Sequence, residues 1–169
     1  MDTRVDKEVS GEEGANRANA RFLRQMAVRD GVPILEIKAA HDRNKGVSEK
    51  EVKGMKEDEF KGLQETLQLC VGARILLSQN IYVEAGLMNG ALGVVKGFVF
   101  PKDFHPHSSN SALRVPSWVI VRFDELRLPD ALKLKDDGLE NCVPILHHQT
   151  FHTSEDQMAR NQFLLTLAW

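Results

Sequence analysis

Apolar and polar positions along this chain follow two different periods. Over residues 15–27, Ala15, Ala18, Phe22, Leu23, Met26 and Ala27 recur at the three- and four-residue spacing of one helix face, with Arg17, Arg21 and Arg24 largely elsewhere. Ser10 and Glu13 have capping-box spacing at its start, Asp30 and Gly31 end it, and Pro33 prevents its continuation. Residues 34–39 then alternate, with Leu35 and Ile37 on one side and Glu36 and Lys38 on the other, which predicts a short strand. A helix followed by a strand is an α/β element rather than part of a barrel.

Residues 67–100 have another character: they are apolar, punctuated by glycine and almost free of acids. The runs 67–71 and 73–77 meet at Gly72, and a third, 93–100, follows Asn89 and Gly90. Apolar runs this short, bounded by Gly and Asn, predict strands buried in a sheet or small barrel. Later, 118–123 (WVIVRF) is rich in β-branched and aromatic residues, 143–146 and 149–152 read as two short strands, and 162–168 as an apolar strand. The polar connections are 101–116 and 126–140. Between the α/β element and the apolar stretch, residues 42–61 intersperse six basic with six acidic side chains, with Ser48 and Glu51 spaced to cap a short helix. Because those charges cancel locally, this predicts a solvated connection and a boundary. The expected fold is therefore mixed α/β and β-rich, a small barrel attached to part of an α/β unit.

Composition narrows the possible functions. With 169 residues, 42% hydrophobic and 27% charged, the chain has enough sequence for one domain, or one with a smaller domain inserted. A net charge of −2 leaves no global basic field, so any nucleic-acid face must be local. Cys70 and Cys142 lack CxxC spacing and lie in apolar contexts, which predicts buried thiols and an intracellular compartment. No apolar run approaches the roughly 18 residues a membrane span needs. The apolar residues at the very end, 163–169, read as a strand cut off from its neighbours, as in a fragment.

The sequence contains no GxxxxGK[ST] loop, GxSxG elbow or HExxH helix, so the chain alone is expected not to hydrolyse a nucleotide. His105 and His107 in one loop, with His147, His148 and His152 near another, have the side chains for zinc if the loops meet, but no matching carboxylate or thiolate pattern; a metal site is not expected. The dipeptide Asn89-Gly90 suits a type I′ hairpin turn, in which both residues take positive φ, with Asn80 satisfying backbone groups at a strand end. Alternatively, Asn80, Asn89 and the glycines present amides to a phosphodiester backbone.

VGARILLSQN (71–80) followed by GLMNGALGVV (86–95) resembles the signature of the PIF-type (petite integration frequency) DNA helicases of superfamily 1. So do the later WVIVRFD (118–124), the Val143-Pro144-Ile145 strand, RNQFLLTLAW (160–169) and the early helix with Asn16 and Asn19. Leu164 stands where the family has proline, and Glu125-Leu126 where an aromatic usually follows the WVIVRFD strand. The resemblance implies the start of a second RecA-like motor domain with its charged connection (1–62), a β-rich segment with an inserted small Src-homology-type β-barrel (63–160), and a truncated return strand (161–169). It further implies part of an ATP-dependent 5′-to-3′ DNA helicase of replication, repair, recombination or telomere maintenance. Its partners would be single-stranded or forked DNA and the first motor domain, where ATP and Mg2+ would be held. The compartment would be the nucleus or mitochondrion. Strand tracking needs sequence-indifferent contacts, for which Asn80, Asn89, Gly90 and Arg160 are the candidates. Arg160 reads equally as an exposed arginine pairing weakly with Glu155 or Asp156. The competing expectations are a standalone nucleic-acid-binding barrel, or a protein-interaction barrel using loop 101–116.

Overall fold

The structure is a computed structural model that describes residues 11–42, 55–105, 107, 114–134, 138–139, 141–152 and 158–169. The Ser10–Glu13 capping pair, the Ser48–Glu51 pair and the acids Glu155 and Asp156 lie outside the described side chains.

Helix α1 spans Gly11–Asp30. Val32 N–H reaches back to the Ala27 carbonyl at 3.0 Å around Gly31, the six-to-one bond of a Schellman ending. Its buried face is narrower than the periodicity suggested: Leu23 and Ala27 are buried and Met26 partly so, while Ala15 and Ala18 are exposed. Phe22 instead lies on the surface, its ring 6.4 Å from that of Trp169.

The described strands are β1 (Leu35–Lys38), β2 (Ala40–Asp42), β3 (Thr66–Leu69), β4 (Arg74–Leu77), β5 (Leu92–Val99), β6 (Trp118–Phe123), β7 (Cys142–Phe151), β8 (Ala159–Phe163) and β9 (Leu165–Leu167). They form a two-stranded sheet, β1-β3, and a seven-stranded one in the order β2-β8-β7-β6-β5-β4-β9. Every pairing among them is antiparallel. Among the described residues the chain is β-rich with one α-helix, the class its patterning predicted. No described helix is long and apolar enough to cross a membrane.

Two strand boundaries differ from expectation for one reason, a change of partner. Strand β7 runs unbroken where two short strands were expected; its 142–146 half pairs with β6 and its 147–151 half with β8. Pro144 therefore lies where only one neighbour needs the ladder, a position that tolerates a missing N–H. Conversely, the expected single strand 162–168 is split. β8 pairs with β7 and β2, β9 pairs with β4, and Leu164 stands at the break, its carbonyl accepting the Ser78 N–H at 3.0 Å. At such a break, rather than within a ladder, a proline is tolerated as well as a leucine, so the difference from the resemblance at Leu164 leaves both strands intact.

One core joins the elements. Leu23 and Ala27 of α1 meet Ile37, Leu67, Leu69, Ile75, Leu77, Val95, Val119, Val121, Ile145 and Leu165 from the strands. Asn19 fastens α1 to the last strand: its Nδ2 donates to the Leu167 carbonyl at 2.8 Å and its Oδ1 accepts the Trp169 N–H at 3.1 Å.

Candidate nucleic-acid interface

Between β4 and β5 the chain makes a compact excursion, residues 78–91, that contains three of the four candidate residues. Its ends are pinned together, Gly90 N–H donating to the Leu77 carbonyl at 2.8 Å and Leu77 N–H to that of Ala91 at 2.9 Å. Tyr82 and Leu87 form a bridge around a single 3-10 turn, Val83–Ala85. Gly86 ends that turn at φ +84°, and a Cβ there would lie 2.3 Å from the Glu125 carbonyl oxygen, so the position excludes any side chain twice over.

Asn80 Oδ1 accepts the Asn89 N–H at 2.8 Å, which brings those two residues together with Gly90 on one exposed rim. The turn is not type I′. Gly90 has φ +86° but Asn89 is not at positive φ, and Ala91 N–H donates to the Met88 carbonyl at 2.9 Å, the pattern of a type II turn. The I′ form is required where two residues join twisted strands directly; here the dipeptide closes a longer loop, so that constraint is absent.

Beside the rim lies an open groove of about 410 Å³ lined by Val83, Glu84, Met88, Leu92, Phe123 and Arg127, among others. Around it Ile81, Tyr82, Val83, Met88 and Leu92 are each between 41% and 48% exposed, a concentration of apolar surface on one loop. At its edge Arg74 grips Asp124 in a two-pronged contact, with Nη1 to Oδ1 at 2.8 Å and Nη2 to Oδ2. That guanidinium holds the Asp124 carboxyl below the ordinary carboxylate value. The groove itself has mixed charge, Glu84 and Glu125 against Arg127. It suits apolar and hydrogen-bonding contacts better than a row of phosphates. Sequence reading missed the Arg74–Asp124 pair and the exposed apolar run; the signal available for the latter was an apolar stretch, 81–83, that breaks strand alternation between two asparagines.

The fourth candidate is corrected. Arg160 is fully buried rather than exposed. Its Nη1 donates to the Leu63 carbonyl at 2.7 Å, its Nη2 to that of Met55 at 3.3 Å, and its Nε to His41 Nε2 at 3.1 Å. Glu65 Oε2 stands 3.4 Å from Nη2, and the Phe60 ring lies under the guanidinium at 4.3 Å. Burial lowers the Arg160 pKa, and Glu65, then Glu57 and Glu59, oppose that. Gln162, two residues on, is likewise buried and donates to the Ile37 carbonyl at 3.0 Å. The physical reason is that residues 55–65 and β2 cover this end of β8, so Arg160 and Gln162 hold main-chain carbonyls and are closed to solvent.

The histidines separate in the same way. His105 and His107 are exposed, whereas His147 packs on Phe163 at 4.0 Å between ring centres and donates from Nε2 to the Pro116 carbonyl at 3.0 Å. Burial pushes its pKa below the ordinary histidine value, the Pro116 bond partly opposing. His152 is buried with its ring 5.4 Å from Phe60. Among the described residues no three His, Cys, Asp or Glu side chains converge as a metal site would require. Cys70 and Cys142 are both buried thiols, burial raising the Cys70 pKa.

Residues 61–98, which hold the excursion, match the family described as the DNA helicase Pif1 2B domain. No curated protein matches the chain. Among solved structures, the Pif1 helicase from Candida albicans is similar at 23% identity and a TM-score of 0.60, over 95% of this chain and 34% of that one. A structure of DNA unwinding at forked double-stranded DNA by two coordinating Pif1 helicases matches at 19% identity and 0.55, over 95% of this chain and 27% of that one. Pif1 helicase from Bacteroides, in complex with ADP-AlF3 and single-stranded DNA, matches at 17% identity and 0.51, over 100% of this chain and 32% of that one. The chain thus spans between 27% and 34% of the length of these three. Residues 61–98 thus match the Pif1 2B-domain model, and the chain around them shares the fold of part of the Pif1 helicase structures.

Proposed function

We propose that this chain is the part of an ATP-dependent 5′-to-3′ DNA helicase that guides single-stranded DNA, with nucleotide binding and hydrolysis supplied by a first motor domain. The observation that carries this is the 2B-domain match over residues 61–98, on a fold whose relatives include one bound to ADP-AlF3 and single-stranded DNA. The sequence lacks a phosphate-binding loop, so ATP and Mg2+ belong to that other domain. Asn89 and Gly90 are the strand-facing residues of the rim, and Asn80 positions them through its bond to the Asn89 amide.

Two measurements on the 169-residue chain test this. Steady-state ATPase assays should show no turnover with or without single-stranded DNA. Anisotropy titrations of a labelled oligothymidylate should show binding at low salt. ATP hydrolysis by the chain alone, or indifference to the oligonucleotide at low salt, overturns the proposal.

A further inference from the structure

A second surface carries the chemistry that the groove lacks. Strands β5, β6 and β7 pair in register, so their solvent-facing residues line up across the sheet: Val99 opposite Trp118 opposite Leu146, then Gly97 opposite Ile120 opposite Pro144. The first row is open to solvent, with Val99 39%, Trp118 44% and Leu146 58% exposed. At the same end of β5, Phe100 and Phe104 pack with ring centres 4.4 Å apart and their planes tilted by 53°, both more than a third exposed.

Further along the same face come cations. Arg122 follows Trp118 and Ile120 at the two-residue period of β6 and is exposed; Lys96, at the irregularity between Val95 and Gly97, is exposed on the neighbouring strand. Arg74 continues the row through Val94 to Arg122. Among the described residues the carboxylate on this face is Asp124, which is held by Arg74 and lies within reach of the Arg122 charge as well. Arg122 lies about 13 Å from Trp118 along the strand, and the row of three strands is about 10 Å wide. The face therefore pairs an exposed indole with an excess of positive charge, within a chain whose net charge is −2.

We propose that the β5–β6–β7 face is a stacking platform for unpaired bases of single-stranded nucleic acid, with Trp118 as the stacking surface and Lys96 and Arg122 as the phosphate contacts. This rests on the reading of the chain as a strand-guiding element, and adds a second contact surface to the loop rim. A protein partner is the alternative occupant. Lysine and arginine beside the aromatic row favour a polyanion, and the exposed apolar row is only three residues across. Every base has a π-face, so stacking on an indole is indifferent to sequence, as strand guidance requires.

The test is an anisotropy titration of labelled oligothymidylate with the whole chain and its variants. Trp118→Ala should weaken binding about tenfold or more, and Trp118→Phe should stay within a few-fold of the parent because a ring remains. Lys96→Gln with Arg122→Gln should lower the slope of log affinity against log salt by roughly 1.4, about 0.7 for each phosphate no longer neutralised. Binding should also quench tryptophan emission in a Trp169→Phe background, where Trp118 is the remaining indole. If the parent binds but Trp118→Ala leaves affinity unchanged while Asn89→Ala weakens it, the platform is wrong and the rim reading stands. If the parent does not bind the oligonucleotide, both are wrong.

Discussion

Two polar clusters hold this chain together in different ways. Around Arg160, one buried guanidinium gathers the carbonyls of Met55 and Leu63, the His41 ring and the partly exposed Glu65 carboxylate over the face of Phe60. Around Asn80, one amide oxygen closes an exposed loop onto the Asn89 N–H. The first cluster joins segments about a hundred residues apart and can move only if the core moves. The second joins residues nine apart and is free to change its partners at the surface. The strand guidance proposed above would draw on both kinds, a rigid frame and a rim that water and ligand can reach.

The frame should fail first and by the most. Replacing Arg160 by methionine removes donors from the buried Leu63 carbonyl and the part-buried Met55 carbonyl and leaves Glu65 beside an apolar side chain. The expected cost is about 3 kcal/mol, near the lower end for breaking a buried pair because Glu65 keeps some access to water. Urea unfolding measures it. Arg160→Lys keeps the charge but not the fork, and should recover only part of the loss. If methionine costs less than about 1 kcal/mol, the cluster is not the frame. Next comes the loop's own hinge: Gly86→Ala forces a Cβ towards the Glu125 carbonyl at a positive φ, for about 2 kcal/mol or more in the same assay.

These two positions also mark what could be read in advance. The glycine punctuation around Gly86 was legible; that this glycine leaves no room for a side chain was not, because the carbonyl it abuts, that of Glu125, lies 39 residues on. Strands 118–123, 67–71 and 73–77 were legible too, since β-branched and apolar runs carry their own period. The burial of Arg160 was not. Its partners lie 97, 105 and 119 residues away, and the run Ala159–Phe163 contains an arginine and a glutamine that locally look solvent-facing. The split after Phe163 and the unity of β7 were hidden for the same cause, because strand limits there follow changes of neighbour. At the candidate site, the nearness of Asn80, Asn89 and Gly90 follows from a short loop and was visible. The Arg74–Asp124 pair is a cross-sheet contact 50 residues long and was not.

On the rim the effects should be smaller. Asn80→Ala removes one neutral hydrogen bond to an amide that water can reach instead, so about 0.5–1 kcal/mol of stability is expected to go. The sharper readout is amide exchange, which should quicken at Asn89 while amides of the β5–β6 ladder keep their protection. Uniform quickening across both would mean that the rim is not a separate unit, and the contrast with the Arg160 cluster would dissolve.

The smallest effect belongs to Arg74 and Asp124, and it separates surface electrostatics from frame. The pair is partly exposed, the aspartate side chain by 44%, so solvent screens it and Asp124→Asn should cost less than about 1 kcal/mol at neutral pH. The arginine holds the folded carboxyl below its usual value, so the folded state binds the proton less readily than the unfolded chain. The pair's contribution is therefore complete above the unfolded pKa, near 3.8, and is lost as pH falls through the lower folded value. Unfolding curves of the parent and Asp124→Asn should converge below that point, and should also converge in molar salt at neutral pH. The Arg160→Met difference should survive the salt, because its buried guanidinium donates to main-chain carbonyls. If salt instead erased both differences alike, Arg160 would be acting as a surface charge, and its burial would have to be rejected.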